Sequence, residues 1–178
     1  NLNMEEYEMI ATGTKEEYPF DFYNGKYIKL DITKKEDFEK LPKENVHAIV
    51  DFAGVLPAYL SKDDPDKYID VNIKGTIYSC KEALAIMRPN KYGKIINMSS
   101  IAAKACLGGF SVYSATKAAV LAATACLGRE AALDNVTVNC ICPGIIKTSM
   151  WEEILDQLAG DNQAERDRVW AEWNSGTP

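Results

Sequence analysis

The amino-acid sequence predicts an α/β fold, a doubly wound parallel sheet with helices on both faces. Three observations carry that expectation. Strand-like and helix-like stretches alternate along the chain, with no run of hairpin turns, no internal repeat and no low-complexity segment. The stretch Val46 to Phe52 is almost continuously apolar, as strands covered on both faces are. The polar and Gly-rich punctuation falls after the strands, at Asp31, Ala53-Gly54, Ser99-Ser100 and Pro143-Gly144, where ligands bind in that architecture.

The elements follow in order. Tyr7 to Thr12 reads as a strand ended by Gly13. Lys26 to Leu30 alternates apolar and polar side chains, which predicts a second strand, closed by Asp31. Residues 34 to 41 form a short charged helix, and Val46 to Phe52 is the third strand. Asp66 to Met87 carries Tyr68, Ile69, Ile73, Ile77, Cys80 and Leu84 at helical spacing, and Pro89 stops it. Gly93 to Ser100 is a fourth strand running into a polar turn; Tyr113 to Leu133 is an alanine-rich helix. Val136 to Ile141 is a fifth strand, broken by Pro143-Gly144, and residues 148 to 178 read as two amphipathic helices joined near Gly160.

Length and charge narrow the function. The 178 residues correspond to one domain, taken as residues 1–178, with 148–178 as an appended cover. Twenty basic against 26 acidic residues leave a net charge of −6, a poor match for nucleic acid or an anionic membrane surface. No apolar run approaches the roughly 20 residues of a membrane helix, and the opening residues lack the basic flank and apolar core of a signal peptide. The five cysteines include no C-x-x-C pair and there is one histidine, so neither a metal site nor a disulfide framework is expected. A reduced, soluble, cytoplasmic protein is the expectation.

Tyr113 and Lys117 carry the chemistry. Four apart in a helix, they share a face. A tyrosine ordinarily titrates near 10, too high for proton exchange at neutral pH, and a neighbouring ammonium favours the phenolate and lowers that value. An oxidised, positive nicotinamide ring would act in the same direction. Ser100, thirteen residues upstream at a strand end, can hold a carbonyl or alcohol oxygen.

With these residues in place the sequence resembles the short-chain dehydrogenase/reductase family, a Rossmann-like fold. The likeness rests on Asn97-Met98-Ser99-Ser100, on Tyr113-Ser114-Ala115-Thr116-Lys117, and on the run from Asn139 to Thr148. Asp70-Val71-Asn72-Ile73-Lys74-Gly75 and Leu30-Asp31-Ile32 add two further matches in the expected order. The resemblance implies Tyr113 as general acid/base, Ser100 as orienter of the substrate oxygen, Lys117 on the nicotinamide ribose, and Asn72 holding a water of a proton relay. It places Asp31 and Ile32 beside the adenine, Ala53 and Gly54 where backbone approaches the cofactor, and Pro143, Gly144, Ile146 and Thr148 along the nicotinamide. It further implies a small alcohol or ketone as substrate, a mobile substrate lid after Thr148, and pairing into homodimers or homotetramers through the alanine-rich helix.

Cofactor choice is read at the end of the first strand here, the family's second. A carboxylate there binds the adenosine ribose and repels a 2′-phosphate. The position falls near Gly13, followed by Thr14 and Lys15, which favours NADP over NAD.

The chain departs from the family in three ways. Asn-Asn-Ala-Gly is Asp51-Phe52-Ala53-Gly54. The family's opening strand and Gly-rich phosphate loop have no counterpart, residues 1 to 14 reading instead as the end of a first helix and a second strand, and the family's last strand is also missing. Finally, Asp64 to Thr76 resembles the extended nucleotide-sugar epimerases, whereas Gly93 onward resembles single-domain reductases. A recombined chain joined around Tyr78 to Glu82 is one source of that mixture, natural mixing the other. The epimerase or dehydratase reading needs a nucleotide-sugar subdomain, for which the segment after Thr148 is too short. A third reading is a catalytically dead fragment or engineered scaffold that keeps the packing without a complete cofactor site.

Overall fold

The computed structural model describes residues 6–18, 25–55, 64–106, 109–146 and 148–175. The expected helix remnant at residues 1–5 and the tail 176–178 lie outside the described residues. Among the described residues there are five strands, with helical segments between the second and the fifth and after the fifth. The strands are β1 (Ile10–Gly13), β2 (Lys26–Lys29), β3 (Ala48–Asp51), β4 (Gly93–Met98) and β5 (Val136–Ile141). The helices are α1 (Pro65–Tyr68), α2 (Thr76–Met87), α3 (Ala102–Ala105), α4 (Ser111–Ala131), α5 (Ser149–Ala159) and α6 (Gln163–Ser175). A 3-10 turn (Lys35–Lys40) follows β2, and a π-helical segment (Ile69–Gly75) joins α1 to α2.

All strand pairs are parallel, and they form two sheets, β1-β2 and β3-β4-β5. A single sheet would need a strand hydrogen-bonded to both β1 and β3, and among the described residues none is. The larger sheet shows strict alternation. Gly93, Ile95 and Asn97 of β4, with Val136 and Val138 of β5, are buried under α2 and α4. Its opposite face carries Lys94, Thr137 and Asn139, with Val50 and Ile141 exposed by 45% and 49%.

The core lies between that sheet and the two helices. Cys80, Ala83, Leu84 and Met87 of α2 meet Ile95, Val136, Val138 and Ala131. Burying each large aliphatic side chain there contributes about 1.5–3 kcal/mol.

The expected single helix over Asp66 to Met87 is three pieces. It starts where Asp64 accepts a hydrogen bond from the Lys67 amide at 2.9 Å and Pro65 occupies the first turn. The π segment then inserts an extra residue into the turn, which apolar spacing does not reveal. Gly75 closes the segment against the turn after β2: a Cβ there would lie 2.3 Å from Cδ1 of Ile32. Only glycine permits that approach.

The last two helices form a separate apolar cluster of Trp151, Leu155 and Val169, flanked by Ile145, Trp170 and Trp173. Arg166 fastens α6 to α5 through Glu152 at 2.7 Å and through Asp156. Phe110, just before α4, meets Trp173 edge-on with ring centroids 5.6 Å apart, and so joins the cluster to the rest of the fold.

Candidate active site

The first turns of α4 carry Tyr113 and Lys117 toward the carboxyl ends of β3, β4 and β5. Lys117 is only 6% exposed. Its Nζ donates to the Met98 carbonyl at 3.0 Å, and Ser99 Oγ donates to the Lys117 carbonyl at 2.7 Å. The Ser99 amide donates to Ile141 O at 2.8 Å and that of Ile101 to Pro143 O at 2.9 Å. These four bonds fasten the end of β4 to both α4 and β5, so Ser100 sits on a rigid corner. Ser100 Oγ accepts from the Ala102 amide at 3.2 Å and lies beside the Tyr113 phenol, where it lowers the phenol's pKa.

Asn72 enters from the π segment and is wholly buried. Its Oδ1 accepts from the Val55 amide at 2.8 Å and its Nδ2 donates to Thr116 Oγ1 at 3.0 Å. Thr116 in turn donates to the Tyr113 carbonyl at 2.8 Å. A Cβ on Gly54 would stand 3.3 Å from Lys117 Nζ and 3.4 Å from Asn72 Oδ1, so bare backbone borders both polar groups. Tyr113, Lys117, Ser100, Asn72 and Gly54 thus converge.

Electrostatics depart from the expectation for Tyr113. Burial holds its phenol above the ordinary value, with Ser100 working against that and Tyr68 adding to it. The Lys117 ammonium stands over the Tyr113 ring, 5.8 Å from its centroid. Burial also pulls Lys117 below the usual lysine range, while Asp51 and Cys140 oppose that.

The other expected cofactor positions are more scattered. Pro143 and Gly144 are half-buried beyond β5, Ile146 is 60% exposed, and Thr148 is exposed at the start of α5. Asp31 is turned to local use: its Oδ1 accepts from the Thr33 amide and hydroxyl at 3.0 and 2.7 Å, which lowers its pKa. Ile32 packs on Gly75. Ala53 donates its amide to Asp51 at 3.0 Å. Thr14 and Lys15 are exposed after β1, with the Lys15 carbonyl accepting from the Tyr27 hydroxyl at 3.0 Å. Thr116, Ser99 and Tyr68 were not singled out from sequence. The position of Thr116 inside the Tyr-x-x-x-Lys spacing, three after Tyr113, is the signal that could have found it.

A nicotinamide nucleotide fits one end of this site. The bare edge at Gly54, the Lys117 ammonium and the paired hydroxyls of Tyr113 and Ser100 suit a ribose and a reacting carbonyl. At the other end, among the described residues, no Gly-rich turn opens a helix, and the space beside Gly13 is taken by the Tyr27 hydroxyl, 3.0 Å from where a Cβ would stand.

Comparison with known proteins agrees with this geometry. Residues 5–159 match the family model described as short chain dehydrogenase. An uncharacterized oxidoreductase of Staphylococcus aureus is 36% identical over 135 residues, 70% of this chain and 58% of that protein. A 3-oxoacyl-[acyl-carrier-protein] reductase of Chlamydia pneumoniae is 35% identical over 126 residues, 68% of this chain and 51% of that protein. A diacetyl reductase [(S)-acetoin forming] of Staphylococcus epidermidis is 30% identical over 162 residues, 85% of this chain and 63% of that protein. The chain therefore spans about half to two thirds of the length of these relatives. Among solved structures, ElxO with NADP bound superposes with a TM-score of 0.76 at 27% identity, covering 91% of this chain and 73% of that one. The ligand-free aldohexose dehydrogenase of Thermoplasma acidophilum shares the fold, with a TM-score of 0.79 at 22% identity over 93% of this chain and 68% of that one. Among the described residues, no helix is long and apolar enough to cross a membrane. With a family model matched along most of its length and the fold of its solved relatives, the chain belongs to the short-chain dehydrogenase/reductase family.

Proposed function

We propose that this chain is the catalytic part of a nicotinamide-dependent oxidoreductase that interconverts a secondary alcohol and a ketone. The observation that carries this is the convergence of the Tyr113 phenol, the Ser100 hydroxyl and the Lys117 ammonium at the strand ends, with Asn72 buried behind them. Ser100 holds the substrate oxygen. Tyr113, kept protonated by burial, gives its proton to a carbonyl oxygen during reduction and takes one back from the alcohol in the reverse direction. Asn72, with both ends of its amide engaged, keeps the π segment and α4 at fixed distance. A bound nicotinamide nucleotide supplies or accepts the hydride.

The reductases of 3-oxoacyl and diacetyl substrates among its relatives support a small ketone as substrate. The NADP-bound structure of ElxO, with Thr14 and Lys15 in place of a carboxylate after β1, supports NADP over NAD. The α5–α6 unit, held to the start of α4 by Phe110 and Trp173, serves as the substrate cover. The alanine-rich α4 is the surface for pairing of subunits.

Titration with NADPH to millimolar concentration, followed by melting temperature and nucleotide fluorescence, tests the reading. Stabilisation by NADPH exceeding that by NADH is the expected result. No response to either nucleotide would overturn it. Tyr113→Phe should keep binding while turnover falls about 10²–10⁴-fold, the usual worth of a positioned acid.

A further inference from the structure

Asp51 ends β3 on the helix-covered face of the larger sheet, in register with Asn97 of β4, which is in turn in register with Cys140 of β5. It is 8% exposed. One carboxylate oxygen, Oδ1, accepts from the Ala53 amide at 3.0 Å; the other, Oδ2, is buried with no hydrogen-bond partner. The Thr76 and Ser79 hydroxyls stand near enough to favour the carboxylate, yet neither bonds Oδ2. Burial pushes the Asp51 carboxyl above its usual range, while the Ala53 amide, the Lys117 ammonium and the Thr76 and Ser79 hydroxyls act against that. A half-unpaired carboxylate in a protein interior is kept ionised by a compensating charge.

The groups facing it identify that charge. From α2 come Thr76, Ser79 and Cys80, and from α4, Lys117; Asn97 of β4 lies beside it in register, with Cys140 of β5 one strand further. Burial pushes the Cys80 thiol up to about 11 and raises Cys140 as well, so both thiols are neutral at physiological pH. Lys117 is the one cation facing Asp51 among the described residues. The two do not touch as an ion pair. The intervening chain, Phe52 to Gly54, brings bare backbone against Lys117 Nζ, and Nζ spends a proton on the Met98 carbonyl at 3.0 Å. Asp51 and Lys117 are both buried, and a unit charge is felt more strongly in a protein interior than in water.

We propose that Asp51 is a positioning residue whose carboxylate holds Lys117 as an ammonium beneath the reacting groups. For turnover this rests on the function proposed above; for the charge of Lys117 it does not. Asn at this position would still accept from the Ala53 amide but would bring no charge, so Asp51→Asn separates the two roles.

The experiment measures how fast cyanate carbamoylates Lys117, by peptide mass spectrometry, from pH 6 to 10. Only the neutral amine reacts. Loss of the opposing charge lowers a lysine, and a lowering of about one unit is tenfold in neutral amine, so Asp51→Asn should carbamoylate Lys117 about tenfold faster than wild type at pH 8. An unchanged rate would overturn the proposal. Asp51→Ser, which also keeps an oxygen without the charge, repeats the test if the Asn variant does not fold. In parallel, the alkaline limb of kcat/KM with NADPH should move to lower pH in Asp51→Asn. A labelling shift with no turnover in either protein supports the charge pairing and overturns the proposed function. Turnover with unshifted labelling and an unshifted limb overturns the pairing alone.

Discussion

Asn72 and Thr116, 44 positions apart in the chain, meet inside the protein as Asn72 Nδ2 donates to Thr116 Oγ1 at 3.0 Å. That bond ties the π segment to α4 one residue from Lys117, and Thr116 passes it on to the Tyr113 carbonyl. Both partners are at most 1% exposed, so neither can turn to water if the other is removed. Thr116→Val should lower unfolding free energy by about 1–3 kcal/mol, the cost of a buried donor left unpaired. Asn72→Ala also orphans the Val55 amide and should cost more. Urea unfolding at equal m-value measures both.

Gly75 and Ile32 make a second test. Ala at 75 would place its Cβ 2.3 Å from Ile32 Cδ1, and overpacking of this kind costs about 1–3 kcal/mol. Ile32→Ala in the same chain removes the obstructing atoms. The double variant should therefore be less destabilised than the sum of the two single ones, and simple additivity would show that the two side chains do not collide.

The cysteines should differ sharply in reactivity. Cys80 is 1% exposed and its thiol is pushed up to about 11, whereas Cys106 and Cys126 are exposed. At pH 8 an aromatic disulfide reagent should modify Cys106 and Cys126 in the native protein and Cys80 only after denaturant is added. Peptide mapping of the early product decides it.

Alkaline stability follows from Tyr113. Burial holds its phenol above the ordinary tyrosine range, so the folded protein keeps a proton that the unfolded chain loses first. Its contribution to stability is fully present below the unfolded chain's tyrosine range and is lost as pH rises through the raised folded-state value. Tyr113→Phe removes this contribution, and its melting temperature should fall less steeply between pH 9 and pH 11 than that of wild type. Parallel slopes would contradict the burial effect on the phenol.

Much of the fold was legible because it rests on local patterns. The alternation in Gly93 to Met98 is the same alternation that buries Ile95 and exposes Lys94, and α1 starts at Pro65, capped by Asp64, within one residue of the helix start at Asp66 expected from sequence. The site was legible in part. Tyr113 and Lys117 meet by helical spacing alone, and Ser100 was marked by the polar turn after β4. Ser99 and Thr116 were hidden, because a hydroxyl bonding to backbone leaves no trace in composition. Asp31 shows the limit of position alone: its place at a strand end does not reveal that its carboxylate also accepts from the Thr33 amide and hydroxyl.

By itself, the sequence determined the parallel α/β order and the residue types at the site, which depend on periodicity or spacing within a few turns of chain, and its motifs carried the resemblance to the family. Only the tertiary structure decided the division into two sheets, the π turn that carries Asn72 inward, and the ammonium standing over the Tyr113 ring rather than at its hydroxyl. Those depend on which distant segments share a buried space, and burial sets both the partners a polar group can find and the charge it can hold.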